Sequence, residues 1–113
     1  DIKIIALSDT IGVSKGSNIS PLFSTLISEY PTIEFGAHFH STNNNWQEKV
    51  ASAYENGCRR FDSTLKGLGG CPMAKDDLVG NIPTEKITSY FHDHLDLNDY
   101  ELSKSLKLAD LVF

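Results

Sequence analysis

The chain is poor in cysteine and has no long apolar run. These two absences restrict the compartment in which the protein works and the kinds of partner it can have. Its two cysteines, Cys58 and Cys71, have the spacing of neither a zinc site nor a dense disulfide framework. A reducing, cytoplasm-like compartment is therefore expected. No apolar stretch is long enough to span a bilayer, so no membrane partner is expected. No signal peptide or Arg-rich amphipathic leader is recognisable.

Basic residues are also scarce. Ten Lys and Arg against 15 Asp and Glu give a net charge of −5. Non-specific binding of nucleic acid needs a basic face, so nucleic acid is not an expected partner. An anionic small ligand is still allowed, since local basic groups such as Lys15, Arg59 and Lys66 could hold one.

The composition is that of a folded protein of modest size. Hydrophobic residues make up 40% of the 113, which is enough for a core, and the length allows one domain over residues 1–113. The sequence starts at Asp1 without an initiator methionine, so we expect it to be a trimmed protein or a segment of a longer one.

The hydrophobic pattern alternates between strands and helices. Strands are predicted at residues 1–7, 33–40 and 58–64, and a glycine-rich loop at 67–80. Helices are predicted from about 18 to 30, from 43 to 57, from Pro83 to Leu95, and from about 99 to 111. This order, βαβαβαα, predicts an α/β fold whose parallel strands are joined by right-handed crossovers.

Polar side chains follow the predicted strands at their carboxyl ends. Asp9 ends the first strand, His38 and His40 end the second, and Ser63 and Thr64 end the third. The carboxyl ends of parallel strands are where barrels and open α/β sheets place their chemistry. The sequence therefore predicts a functional site at this edge.

His38 and His40 are the strongest candidates for a metal site. Side chains at i and i+2 of a strand point to the same side, so both imidazoles could reach one ion. From these two residues alone, a hydrogen-bonded pair in the core is an equal alternative. Asn81 could be a turn residue before a helix, and Asp9 could be a capping aspartate.

Five segments together resemble the hydroxymethylglutaryl-CoA lyase family of metal-dependent (β/α)8-barrel enzymes. They are Ser8-Asp9-Thr10-Ile11-Gly12-Val13, His38-Phe39-His40, Asp62-Ser63, Gly67-Leu68-Gly69-Gly70-Cys71-Pro72-Met73-Ala74 and Gly80-Asn81-Ile82-Pro83-Thr84-Glu85. The resemblance implies the C-terminal portion of a (β/α)8 TIM barrel, namely its last three βα units (strands six to eight) and the C-terminal helices. The first five strands, with the family's Asp-Arg-Asp or Asp-Arg-Glu motif, are absent. After His40 the family's Asp-Thr-Tyr-Gly is replaced by Ser41-Thr42-Asn43-Asn44.

The same resemblance implies roles for individual residues. His38, His40 and Asn81 would bind a divalent metal cation, with Mg or Mn the expected ions. Cys71 would exchange a proton with the acetyl-CoA carbanion, and His38 and Asp9 would be the other catalytic residues. Thr10 and Glu85 would contact the substrate. A helix-starting glutamate is the alternative for Glu85.

The implied function is a segment of a divalent-metal-dependent carbon–carbon lyase. It would cleave 3-hydroxy-3-methylglutaryl-CoA to acetyl-CoA and acetoacetate by retro-Claisen chemistry, and it would be inactive alone. The expected partners are an acyl-CoA substrate and either a homo-oligomer or the missing barrel half. One alternative is a related metal-dependent aldolase or acyl-CoA lyase. Another is a non-catalytic half-barrel fragment that self-associates through open strand edges.

Overall fold

A computed structural model describes residues 1–70, 79–94 and 98–112 of the chain. In chain order its elements are β1 (Ile4–Asp9), α1 (Gly16–Glu29), β2 (Glu34–Ser41), α2 (Trp46–Glu55), β3 (Arg60–Phe61), β4 (Gly80–Asn81), α3 (Thr84–Tyr90) and α4 (Asp99–Val112). Single 3-10 turns lie at Leu65–Gly67 and His92–His94. Within the described ranges, every helix is too short or too polar to cross a bilayer.

The predicted parallel sheet is confirmed for the first three strands. β1 and β3 flank β2, and both run parallel to it. The register aligns Leu7 with Ala37 and Ser8 with His38. One face of β2 therefore presents Phe35, Ala37 and Phe39 to the helices, while His38 and His40 lie on the opposite face.

The core lies between the sheet and the helices. Its buried residues include Ile19 and Phe23 of α1, Phe35 and Phe39 of β2, and Val50 and Ala53 of α2. The rings of Phe23 and Phe39 meet edge to face, with their centroids 6.2 Å apart. These positions are the ones that the 3.6-residue and two-residue periodicities predicted, because those periods select one face of each element.

The helix boundaries follow local chemistry. The Asn18 side chain accepts a hydrogen bond from the Lys15 amide at 2.8 Å, which anchors the start of α1. Pro31 follows the end of that helix. Gly57, at φ +100°, takes the left-handed conformation just after α2, as expected for a C-terminal cap.

The third strand is shorter than predicted. Residues 58–64 were expected to form it, but only Arg60–Phe61 pairs with β2. Beyond them the chain leaves this ladder, and Thr64 instead bonds with Ile82 and Thr84 through its backbone.

The sequence predicted three strands, and β4 is a fourth that it did not predict. Gly80 and Asn81 pair antiparallel with Ser41 and His40, in a segment predicted as loop. Glycine allows this pairing. A Cβ on Gly67, which has φ +67°, would lie 2.7 Å from the Asn81 carbonyl oxygen, and a Cβ on Gly80 would lie 2.7 Å from the Gly67 carbonyl oxygen. The glycine-rich segment thus packs backbone to backbone on β4.

The C-terminal helices cover one side of this arrangement. Phe91, which follows α3, packs its ring against those of Tyr54 and Phe61, with centroid distances of 4.9 and 5.5 Å. α4 spans the predicted range and is joined to the turn after β3 by an ion pair between Lys66 and Asp110. Leu95, which was predicted to continue the helix after Pro83, lies outside the described residues.

Candidate metal centre

The carboxyl ends of β1 and β2 meet the short strand β4 at one edge of the sheet. Asp9 ends β1, His38 and His40 lie near the end of β2, and Asn81 belongs to β4. The structure therefore brings together four of the residues that the sequence nominated. The ring centroids of His38 and His40 are 5.3 Å apart.

His40 is held by the backbone of the neighbouring strand. Its Nδ1 lies 3.0 Å from the carbonyl oxygen of Asp9, and the residue is 8% exposed. A carbonyl oxygen can only accept, so Nδ1 must carry the proton and donate. A neutral His40 protonated on Nδ1 has its free lone pair on Nε2. This tautomer can bind a metal ion through Nε2.

His38 is held in the same way by a carboxylate. Its Nδ1 lies 3.1 Å from Oδ2 of Asp62, in a pair whose side chains are 40% and 47% exposed. The carboxylate again requires a proton on Nδ1 and leaves Nε2 to a ligand. A carboxylate or a carbonyl behind each imidazole is the usual support of metal-binding histidines.

Asn81 completes a set of three donors. It is the cross-strand partner of His40, so its side chain lies on the same face of the sheet. Its Nδ2 donates to the Leu68 carbonyl oxygen at 2.9 Å, which leaves Oδ1 free to accept or to bind a cation. In the described part of the chain, no group of three or more His, Cys, Asp or Glu side chains could hold a metal ion. Two imidazoles and one amide oxygen nevertheless suit a divalent cation that accepts nitrogen and oxygen ligands.

Asp9 has a different environment from the one expected of a catalytic carboxylate. Its carboxylate accepts hydrogen bonds from the Val13 amide at 3.0 Å, the Ser14 amide at 3.2 Å and the Ser14 hydroxyl. Lys49 Nζ lies 2.7 Å from Oδ2. The capping alternative thus describes what this side chain does, while a role toward the substrate stays a prediction.

The charge state of Asp9 follows from these contacts. Burial raises its pKa, but the hydrogen bonds from Lys49 and Ser14 and the charge of Lys49 lower it by more, so the pKa lies below its usual range. Asp9 is therefore an ionised and weakly basic carboxylate at neutral pH.

Lys49 is the residue that reasoning from the sequence missed. Its side chain is 1% exposed, and its ammonium bonds to Asp9, Gly12 and His40. A signal was present, because position 49 lies on the same helical face as Trp46, Val50 and Ala53. A lysine within an apolar stripe must find partners inside the fold.

The remaining candidate residues lie around this centre. Thr10 is exposed in the turn after β1. Glu85 accepts a hydrogen bond from the Lys66 amide at 3.0 Å, and this supports a residue with φ +60°. Cys71 lies outside the described residues, so its prediction is untested. Cys58 is a buried free thiol, and burial raises its pKa to about 11.

A small polar cavity adjoins Asn81. It has a volume of about 150 Å³ and is lined by Ser41, Thr42, Asn43, Lys66, Gly67, Gly80, Asn81 and Pro83. The buried Oγ of Ser41 has no hydrogen-bond partner among the described residues. The edge of the sheet that carries the three donors is thus bordered by a polar cavity.

Comparison with known proteins identifies the class. The HMGL-like family model matches residues 1–112, and the chain belongs to that family. A hydroxymethylglutaryl-CoA lyase of Bacillus subtilis is 31% identical over 112 residues, which are 98% of this chain and 37% of the relative. An (R)-citramalyl-CoA lyase of Chloroflexus aurantiacus is 34% identical over 88 residues, which are 78% of this chain and 27% of the relative.

The fold agrees with a solved structure of the same kind. The crystal structure of the Bacillus subtilis HMG-CoA lyase superposes with a TM-score of 0.80 at 29% identity, covering 98% of this chain and 37% of that one. The chain thus spans roughly a quarter to two fifths of the length of these relatives. The resemblance predicted from the five sequence segments is confirmed at the level of the family.

Proposed function

We propose that this chain is the metal-binding part of a carbon–carbon lyase that cleaves 3-hydroxy-3-methylglutaryl-CoA. The observation that carries the proposal is the way in which His38 and His40 are held. Each Nδ1 is bonded to a strict acceptor, so each Nε2 is left for one divalent cation. The family membership and the names of the relatives support the reaction class.

The ligands contributed by this chain are His38, His40 and Asn81. Two nitrogen donors and one oxygen donor favour Mg²⁺ or Mn²⁺ over an ion that prefers thiolates. A bound divalent cation supplies Lewis-acid polarisation of the substrate oxygens and a template for their orientation. The other ligands come from outside the described residues.

The reaction is a retro-Claisen cleavage. The tertiary hydroxyl gives its proton to a base and becomes the ketone of acetoacetate as the bond between C2 and C3 breaks. The electron pair of that bond stays with the acetyl-CoA enolate, which then takes up a proton. Cys71 supplies that proton, as the resemblance to the lyases implies.

The other proposed residues act around this step. His38 borders the reacting atoms, with its ring fixed by Asp62. Asp9 is a poor proton acceptor because its pKa is lowered, so its proposed catalytic role is to hold the loop that follows β1 in place. Thr10 and Glu85 contact the substrate at the mouth of the site.

The portion of the barrel proposed here is its last three βα units, which leaves one edge of β1 available for pairing with another strand. In the described sheet β1 pairs only with β2, and Ile4 on it is 48% exposed. A groove of about 360 Å³ runs between β1 and α1, lined by Leu7, Val13 and Leu22 among others. An apolar groove beside a free strand edge suits a preceding βα unit or a second copy of the chain.

A second substrate is supported by one specific observation. The relative that is 34% identical is named for (R)-citramalyl-CoA, which also carries its tertiary hydroxyl on the carbon β to the thioester. The same three donors could serve either substrate. Cleavage of 3-hydroxy-3-methylglutaryl-CoA would release acetoacetate, whereas cleavage of citramalyl-CoA would release pyruvate.

The test combines metal binding with product analysis. The complete protein that contains these residues is incubated with Mn²⁺ and each acyl-CoA, and acetyl-CoA, acetoacetate and pyruvate are measured. Acetoacetate release that His40→Ala abolishes supports the proposal, and pyruvate release alone selects the second substrate. Neither product with either substrate, in a protein that binds Mn²⁺, would overturn the lyase assignment. The 113-residue chain by itself is expected to show no turnover.

A further inference from the structure

Lys49 connects the end of β1, the loop that follows it and the end of β2 at His40. Its Nζ lies 2.7 Å from Oδ2 of Asp9, 3.0 Å from the Gly12 carbonyl oxygen and 2.7 Å from the His40 carbonyl oxygen. An ammonium group has three N–H donors, and each has an acceptor here. The ammonium is thus fully satisfied although its side chain is only 1% exposed.

These hydrogen bonds form a closed ring of contacts among Asp9, His40 and Lys49, in which His40 takes part through both its imidazole and its backbone carbonyl. The His40 imidazole donates to the backbone carbonyl of Asp9, while the His40 carbonyl accepts from Lys49. Lys49 in turn holds the Asp9 carboxylate. Both ends of His40, ring and backbone, are therefore fixed relative to Asp9 at the end of β1.

The loop after β1 packs closely against His40, and Lys49 hydrogen-bonds to it there. Gly12 has φ +73°, and a Cβ on it would lie 3.4 Å from the His40 carbonyl oxygen and 2.7 Å from Val79. The loop therefore lies in van der Waals contact with β2 and with the residue that precedes β4. Lys49 binds the carbonyl of Gly12 at that contact.

A lysine is a costly way to fill this space. Burying an ammonium ion requires strong compensation, and an apolar residue of similar volume is often as stable or more stable. Lys49 does what an apolar residue cannot, because it holds an anionic carboxylate and two carbonyl oxygens at fixed positions. This points to placement of the loop and of His40.

We propose that Lys49 is a positioning residue for the metal centre, holding the His40 imidazole with Nδ1 on the Asp9 carbonyl and Nε2 toward the ion. The inference rests on the metal site proposed above. Lys49 touches neither the metal nor the substrate and acts through His40 and Asp9. Without its ammonium, the Asp9 carboxylate and the Gly12 carbonyl lose the donor that joins them to the His40 carbonyl, and the imidazole's acceptor at Asp9 is held by the pairing of β1 with β2 alone.

The test uses Lys49→Met in the complete protein that contains these residues. The tautomer of His40 is measured without metal by long-range ¹H–¹⁵N NMR, and Mn²⁺ affinity is measured by EPR titration. We expect the wild type to show His40 protonated on Nδ1. The variant should show a mixture of tautomers and an affinity for Mn²⁺ about tenfold weaker, as for the loss of other groups behind metal ligands.

A matched control separates positioning from stability. Val50→Ala opens a cavity at the next position of α2, where the side chain is fully buried, and it removes no contact of the ring described above. It should lower the melting temperature and leave both the tautomer and the Mn²⁺ affinity unchanged. Lys49→Gln, which is shorter, uncharged and has two amide N–H donors in place of three, is the second variant and should change both readouts in the same direction as Lys49→Met.

The outcomes distinguish the proposed role of Lys49 from the proposed metal site on which it rests. A wild-type protein that does not bind Mn²⁺ would overturn the metal site, and the tautomer of the metal-free protein would still decide the role of Lys49. Wild-type tautomer and affinity in folded Lys49→Met or Lys49→Gln would overturn the role of Lys49 alone. If Val50→Ala lost as much Mn²⁺ affinity as the Lys49 variants, Lys49 would contribute only to the stability of the fold, and its positioning role would be overturned.

Discussion

The carboxylate of Asp62 lies 3.1 Å behind the imidazole of His38 and fixes which nitrogen of that ring carries the proton. The two residues come from the ends of different strands, β2 and the shortened β3. Both side chains are more than a third exposed, so solvent screens the charge and the pair adds little to stability. Its effect is therefore on orientation, which makes it separable by experiment.

Asp62→Asn should weaken metal binding without unfolding the protein. The amide can present either its oxygen or its NH₂ to Nδ1, so the ring loses a strict acceptor. We expect Mn²⁺ affinity to fall by about tenfold and the free energy of unfolding to change by less than about 1 kcal/mol. EPR titration and urea unfolding measure the two quantities. Asp99→Asn, on the exposed start of α4, is the control and should change neither.

Gly67→Ala should damage both stability and the metal centre. Alanine at φ +67° is strained, and its Cβ would lie 2.7 Å from the Asn81 carbonyl oxygen, so Asn81 must shift. We expect a loss of about 1–3 kcal/mol in the free energy of unfolding and a measurable loss of Mn²⁺ affinity.

Gly57→Ala is the matched control for that substitution. Gly57 also has a positive φ, of +100°, but a Cβ on it would meet only the Ile27 side chain, at 3.0 Å. The variant should be destabilised and should bind Mn²⁺ normally. Equal affinities in the two variants would show that the contact between Gly67 and Asn81 does not affect the metal centre.

Acid should remove the stability that Asp9 provides. Its pKa is lower in the folded chain than in the unfolded one, where it is about 3.9. The contribution is fully present above the unfolded pKa and is lost as pH falls through the folded pKa. Urea unfolding from pH 7 to pH 3 should show a steeper acid loss for wild type than for Asp9→Asn. At pH 7 that variant should be less stable by on the order of 3 kcal/mol, because Lys49 is left without its anion. Parallel pH profiles would contradict this account.

Cys58 should be unreactive in the folded protein. Its thiol is buried, and burial raises its pKa to about 11, so roughly one thiol in a thousand is ionised at pH 8. In a Cys71→Ser background, Ellman's reagent should label Cys58 only after unfolding in urea. Labelling of the native protein at the rate of a free thiol would show that the core between β2 and β3 opens readily.

Much of this fold could be predicted because its determinants are local. The spacing of Ile19, Phe23 and Leu26 predicts α1 without reference to the rest of the chain, and alternation predicts β2. The juxtaposition of His38 and His40 needed only the two-residue period of a strand. Local patterns of this kind indicate which face of an element is buried.

Pairings between distant segments could not be predicted in this way. The strand formed by Gly80 and Asn81 is two residues long and has no alternating pattern, and its partner His40 is distant in sequence. The resemblance to the lyases nominated Asn81 as a ligand but gave no reason for its position. The contacts of Lys49 with Asp9 and His40 depend on the packing of α2 against two strand ends, which no local pattern encodes.

The close contact between Gly70 and Val79 has a consequence for the number of residues that can lie between them. A Cβ on Gly70 would lie 2.8 Å from the carbonyl oxygen of Val79, so the two residues that flank positions 71–78 touch each other. Closure entropy grows slowly with the length of the chain between two touching residues, by about 0.6 kcal/mol for each doubling. A change in the number of residues between positions 70 and 79 that keeps Cys71 should therefore leave His38, His40 and Asn81 in their places.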